Sequence, residues 1–194
     1  MLEIKKIIFA IAIAMAPRFA NAMLWGPISE SQGRAAGMIE RAGDWGQLAI
    51  PISAAIYSAV IGDWNGAGQL AMSYGSTAAA TYALKYTIRE ERPYEPEGAK
   101  GTTFPSGHTS SAFAGAGYWQ RRYGWHIGAP MYAAAAFVGY SRVRTGWHNW
   151  LDVGTAAAIG IGFNYLFATR YAPDAQISVQ PTDGGAYLSF IQRF

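Results

Sequence analysis

What most constrains this chain is that its apolar residues come in long charge-free stretches rich in alanine and glycine, separated by short polar loops. Val153 to Ala168 runs 16 residues without a charge, and residues 64–84 are diluted by Asn65, Gln69 and small hydroxyl residues but carry no charge either. Residues 109–120 form a third such stretch, cut short by Arg121 and Arg122. Stretches of this length with little alternation read as helices. A bilayer span needs about 20 consecutive, mainly apolar residues. Alanine and glycine insert weakly, yet they let helices pack closely in water or lipid. The expectation is a compact helical bundle outside the hydrocarbon, with a membrane surface as a neighbour.

Breaks and caps set the expected elements. Residues 29–43 read as a first helix, interrupted by Gly43 to Gly46, and Gln47 to Gly62 as a second with Pro51 near its start, where proline is tolerated. Asp63 is a candidate cap for a helix reaching about Ile88. Further helices are expected over Thr109–Arg121, Pro130–Tyr140 and Asn149–Arg170. Asp44-Trp45-Gly46 and Asp63-Trp64-Asn65-Gly66 read as two similar turn-and-cap sequences. Near the end, Gln176–Gln180 and Ala186–Phe194 read as extended segments joined by a strong turn signal, Pro181 to Gly185. The fold class is therefore all-α: a single bundle of about five to six helices with a short C-terminal β-hairpin.

The first 22 residues resemble an export signal. Lys5 and Lys6 form a basic start, Ile7 to Ala16 an apolar run, and Ala20-Asn21-Ala22 a small-residue cleavage site. An uncleaved anchor is the alternative, with an apolar run short for a span. The domain reading is residues 1–22 as signal peptide, 23–175 as the helical domain and 176–194 as a tail packed on it. The leader holds three cations and one anion of a chain whose net charge is +3, which leaves about +1 for the rest. The basic pI therefore gives no case for a nucleic-acid partner. Cysteine is absent, which excludes disulfides and thiolate metal sites.

Charged and hydroxylated residues gather in three places. In KYTIREERP, Lys85 and Arg92 stand two helical turns apart, so one helix would put both on one face, aimed at an anion. Read alone, this is equally a solvated helix end with Glu90 and Glu91 as partners. In Pro105-Ser106-Gly107-His108, a hydroxyl, a glycine and a following helix start make an anion cradle, with His108 placed to donate a proton. An ordinary capped loop explains that stretch as well. In SRVRTGWHNWLD, His148 and Asp152 are four apart, so a helix here would bring them together and leave the second imidazole nitrogen nucleophilic. Arg142 adds another fork, Arg144 either lines the pocket or neutralises a carboxylate, and a structural ion pair is the plain alternative. Jointly, the stretches supply what phosphoryl transfer requires: cations, a backbone cradle, and two histidines for nucleophile and acid.

The three blocks resemble the type 2 phosphatidic acid phosphatase family, which shares its site with bacterial acid phosphatases and vanadium haloperoxidases. The family pattern K-x6-RP, PSGH, SR-x5-H-x3-D is met in order by Lys85, Arg92-Pro93, Pro105 to His108, Ser141-Arg142, His148 and Asp152. The resemblance implies a helical fold with the site where helices meet. It implies His148 as nucleophile forming a phosphohistidine, Asp152 orienting it, and His108 as acid and then base. It also implies that Lys85, Arg92, Ser106, Gly107 and Arg142 hold phosphate oxygens. No metal or other cofactor is implied, and carboxylates near the blocks are sparse.

Substrate class is left between readings. A lipid phosphatase acting on lipid A, a polyprenyl diphosphate or a phosphatidate-type lipid suits Trp119, Trp125, Trp147 and Trp150 as acyl or interface contacts, although core packing claims many tryptophans. A soluble periplasmic acid phosphatase with small phosphate esters is the alternative. A haloperoxidase is disfavoured by length, and a catalytically dead scaffold by the intact pattern. His126, outside the blocks, reads as a surface or packing residue.

Overall fold

The computed structural model describes residues 30–90, 102–172, 176–182 and 185–191. The expected export signal and Arg92 lie outside them. Five helices carry the fold: α1 (Glu30–Val60), α2 (Trp64–Ile88), α3 (Gly107–Tyr118), α4 (Trp125–Arg144) and α5 (Trp150–Phe167). A π-helical turn, Trp119–Tyr123, extends α3. Beyond them the backbone of Gln176–Thr182 pairs antiparallel with that of Gly185–Ile191.

Helix α3 packs against all four others. Most of its sequence, GHTSSAFAGAGY, is buried, including Ala112, Ala114, Gly115, Ala116 and Tyr118. A helix covered on every side needs no apolar stripe but does need small residues. A Cβ on Gly115 would come 2.7 Å from Pro51 N, and one on Gly160 would come 2.8 Å from the backbone of Ala114 and Ser110. Both glycines are required by close approach of α1 and α5 to α3.

The two helices expected over 29–43 and 47–62 are one continuous helix, α1. Gly43 and Gly46 do not break it; glycine in a helix interior costs only about 1 kcal/mol. Pro51 sits mid-helix, where it cannot donate to the Gln47 carbonyl. Ser111 Oγ on α3 donates to that carbonyl instead, at 2.8 Å. Asp44 is therefore a mid-helix residue rather than a cap, unlike Asp63, whose Oδ1 accepts from Gly66 N–H at 2.9 Å. Helix α4 starts at Trp125, five residues before Pro130, because Gly124 ends the π turn at φ +99. Helix α5 ends at Phe167 rather than Arg170, with Ala168 already extended.

At the C-terminal end of α3 a buried polar knot ties the bundle. Arg122 Nε donates to Asp63 Oδ2 at 2.7 Å, and Nη2 donates to Oδ1. Tyr123 OH donates to Asp63 Oδ2 at 2.9 Å, and Ser58 Oγ meets the Tyr118 and Tyr123 hydroxyls at 2.8 Å each. Arg122 Nη1 also donates to the Thr169 and Arg170 carbonyls. Burial pushes the Asp63 carboxyl up, but the bonds from Arg122, Gly66 and Tyr123 outweigh it and hold it below its ordinary value.

Outward, α1 shows a stripe of large apolar residues at helical spacing, Trp45, Leu48, Ile52, Ile56 and Val60, all exposed. Trp64, Met72, Trp125, Trp150 and Leu166 are exposed on other helices, whereas Trp119 is buried. Among the described residues no helix is long and apolar enough to cross a membrane.

Removing one partner of a buried ion pair typically costs about 3–5 kcal/mol, because the other charge stays buried alone. Arg122→Ala is therefore expected to lower the urea midpoint sharply. A change under about 1 kcal/mol would show that water repairs the gap.

Candidate active site

Helix ends and turns, more than helix faces, position the site. Asn149 caps α5, its Oδ1 accepting from Leu151 and Asp152 N–H, and Asp152 Oδ2 reaches back to Asn149 N–H at 3.0 Å. This capping box fixes a fully buried carboxylate at the first turn of α5. His148 precedes the cap, delivered by the turn after α4, where Gly146 takes φ +78 and His148 N–H donates to the Arg142 carbonyl at 3.2 Å. His148 Nδ1 then lies 3.2 Å from Asp152 Oδ2.

Thr103, which motif spacing did not single out, completes the clamp. Its hydroxyl donates to Asp152 Oδ2 at 2.7 Å and lies 3.0 Å from His148 Nδ1. With that hydroxyl's proton committed to the carboxylate, both neighbours of Nδ1 are acceptors, so Nδ1 carries the imidazole proton. The basic lone pair is then on Nε2.

Lys85, Gly107, His108, Arg142 and His148 line one cavity of about 620 Å³. Lys85 Nζ is steadied by the carbonyls of Thr102 and Thr103 at 3.0 and 3.2 Å. Helix α2 ends at Ile88, with Arg89 at φ +51, and Arg92 lies outside the described residues. Ser106 is the buried N-cap of α3, accepting from Thr109 Oγ1 at 3.0 Å and from Thr109 N–H. Gly107 and His108 follow it, and their first-turn N–H groups have no intrahelical partners. That makes the start of α3 a ready place for an anion. Arg144 is not among the cavity-lining residues described, and His126 is exposed away from the blocks.

Helix α1 brings groups that no motif announced. Asp44 Oδ1 lies 3.1 Å from His108 Nε2 and accepts from Arg142 Nη1 at 2.8 Å. The Glu40 carbonyl accepts from Arg142 Nη2 at 2.6 Å, and Glu40 Oε1 accepts from Trp147 Nε1 at 2.6 Å. The sparse carboxylates of the sequence are thus joined by two from a helix far away in the chain. No cluster of three or more metal-ligating side chains occurs among the described residues. Burial, followed by the charge of Arg142, pulls His108 down to about 4, against the opposing pull of Asp44.

The sequence profile of the PAP2 superfamily matches residues 66–174, which span every described residue of the three blocks. The chain belongs to the PAP2 superfamily. A lipid A 4'-phosphatase of Helicobacter pylori is 34% identical over 165 residues, covering 80% of this chain and 83% of that protein. The crystal structure of Aquifex aeolicus LpxE aligns with a TM-score of 0.59 at 20% identity, covering 76% of this chain and 89% of the other, a likeness of fold. A transmembrane PAP2-type phosphatidylglycerolphosphate phosphatase of Bacillus subtilis aligns with a TM-score of 0.48 at 19% identity, over 84% and 92% of the chains.

Two outcomes test this geometry. A Cβ on Gly43 would come 2.0 Å from Ser141 Oγ and 2.6 Å from Arg142 Nη2, so Gly43→Ala must displace the guanidinium. Its turnover is expected to fall at least about tenfold, and wild-type turnover would show that α1 does not set the position of Arg142. With its pKa pulled down to about 4, His108 is largely neutral at pH 6, and a dianion beside it favours the charged ring. Binding of tungstate at pH 6 should therefore take up a proton, measured by calorimetry in buffers of different ionisation enthalpy. Absence of uptake would remove His108 from contact with the anion. For folding the sign is that of a depressed pKa: the contribution is full above pH 6.5 and is lost as pH falls towards 4.

Proposed function

We propose that this PAP2 phosphatase hydrolyses a phosphorylated lipid through a phosphohistidine formed at His148. The observation that carries the reading is the Nδ1 clamp by Asp152 and Thr103, which puts the basic Nε2 lone pair in a cavity shared with Lys85, Gly107, His108 and Arg142. Nε2 attacks phosphorus while the cations and the first N–H groups of α3 stabilise the equatorial oxygens. Ser106 and Arg92, as family counterparts, join that set. His108 gives its proton to the departing oxygen, then takes one from the water that cleaves the N–P bond. These steps call for no metal or other cofactor.

Three features favour a lipid over a small soluble ester. The cavity is larger than a phosphate needs, and beyond the cations its wall is built from Tyr74, Thr77, Ala78 and Tyr82 of α2. The exposed stripe on α1, with Trp64, Trp125 and Trp150, suits contact with a membrane surface. The Helicobacter pylori relative is named for lipid A. An exported enzyme, with residues 1–22 as signal and 23–175 as one phosphatase domain, would meet such a lipid in the periplasm. Residues 176–194 are then a hairpin tail of the same domain.

The test compares phosphate release from lipid A, a polyprenyl diphosphate and p-nitrophenyl phosphate by the purified protein in detergent, with a chelator present throughout. A kcat/KM at least about tenfold higher on a lipid is expected, and a preference for the soluble ester would favour an acid phosphatase of broad specificity. His148→Ala should lose roughly 10³-fold or more. Activity surviving in that variant would overturn the nucleophile.

A further inference from the structure

Asp44 belongs to none of the three blocks. It lies on α1, before the segment that the superfamily profile matches, which begins at Gly66. Yet its Oδ1 is shared between His108 Nε2 at 3.1 Å and Arg142 Nη1 at 2.8 Å. This is a held group rather than a loose surface carboxylate. One turn earlier, Glu40 binds Arg142 through its carbonyl and Trp147 through its side chain. Gly43, the residue before Asp44, lies so close to the Ser141 and Arg142 side chains that a Cβ there would force them to shift. Helix α1 therefore delivers Asp44 in a fixed register.

An imidazole has its nitrogens on different edges of the ring. With Nε2 turned to Asp44, Nδ1 is the nitrogen left to meet a substrate. We propose that Asp44 is the positioning residue of the leaving-group acid, holding His108 through Nε2 so that Nδ1–H is presented to the oxygen of the departing alcohol. The inference rests on His108 being that acid. When the P–O bond to the alcohol breaks and the Nε2–P bond to His148 forms, the Nδ1 proton passes to the leaving oxygen and the alcohol departs neutral. Water later attacks phosphorus, the N–P bond breaks, and the water's proton returns to His108.

The charges around the ring give the second half of the argument. Arg142 on α4 and Lys85 on α2 line the same cavity, and their positive charges disfavour a cationic His108. Asp44, with Glu40 further along α1, supplies the negative charge on this side. A general acid must hold its proton until the transition state, and in this cationic pocket a carboxylate on the far nitrogen helps it to do so.

The leaving group makes this testable. An alkyl phosphate expels a strongly basic alkoxide and needs a proton, whereas p-nitrophenyl phosphate expels a stable phenolate and scarcely does. General acid catalysis contributes about 10²–10⁴-fold. Asp44→Asn, half-exposed and isosteric, should lose about 10²-fold in kcat/KM on an alkyl phosphate and at least tenfold less on p-nitrophenyl phosphate. On the alkyl ester, Asp44→Asn with His108→Ala should be no worse than His108→Ala alone, because Asp44 acts through that ring. Thermal melts of each variant show whether the fold is kept, and Asp44→Ala, judged by the same leaving-group pattern, replaces any variant that melts early. Equal losses on both esters, additive losses in the double variant, or a lower KM with kcat unchanged would overturn the assignment; the last would make Asp44 merely an anion competing for Arg142. Full activity of His148→Ala would bring down the underlying reading and Asp44 with it. A strict His148 requirement with equal losses overturns Asp44 alone.

Discussion

The structure turns on one buried carboxylate. Asp152 has no exposure to solvent, and burying an isolated anion costs several kcal/mol unless bonds replace its hydration. Here Oδ2 receives the Thr103 hydroxyl and the Asn149 N–H and faces His148 Nδ1, while the Asp152 carbonyl accepts from Ser106 N–H at 3.2 Å. Those contacts join the segment before α3, the turn after α4 and the start of α5. The same group caps a helix, docks two loops and sets the tautomer of His148. Folding and chemistry share an anchor.

The bundle can converge on that anchor because its central helix is thin. Small residues on α3 let α1 and α5 approach to backbone contact, which shortens the distance across the bundle and brings α1 to Arg142. The closeness has local costs: Pro51 would strand a carbonyl were Ser111 not there to donate, and a side chain at Gly43 would push Ser141 and Arg142 aside. The Asp63–Arg122 knot lies past the far end of α3, a 12-residue helix of about 18 Å. One end of α3 is thus closed by a bonded ion pair, and the other opens on the cavity, where the N–H groups of Gly107 and His108 have no intrahelical partner.

Much of this could be read from residue order, though not always for the reason spacing suggested. The His148–Asp152 contact was legible, but it comes from a capping box with His148 outside the helix, not from two residues on a helical face. Lys85 lines the cavity as expected, while the helix that was to align it with Arg92 stops at Ile88. Gly43 and Gly46 looked like a break because glycine weakens an isolated helix; here tertiary packing outweighs that preference. Glu40 and Asp44 could not be found at all. Hydrogen bonds between residues 64 apart in the chain, as for Asp44 and His108, leave no trace in local spacing. A faint signal existed for Thr103, a hydroxyl just ahead of the second block.

The division between what spacing reveals and what it hides has a physical basis. Phosphate is small, symmetric and highly charged, so its site demands a few donor types in a nearly fixed arrangement, and compact motifs suffice. The departing group has no such uniform demand. Besides the cations and the start of α3, the cavity is lined by α1 and by the hydroxyl and aromatic residues of α2, from Tyr74 to Tyr82, in segments that fall before the first block. Side chains there answer to helix packing as much as to the reaction. Two proteins can therefore keep the phosphate half intact and differ in what they release. For this chain, selectivity should be sought on the α1 and α2 walls, where Asp44 already reaches His108.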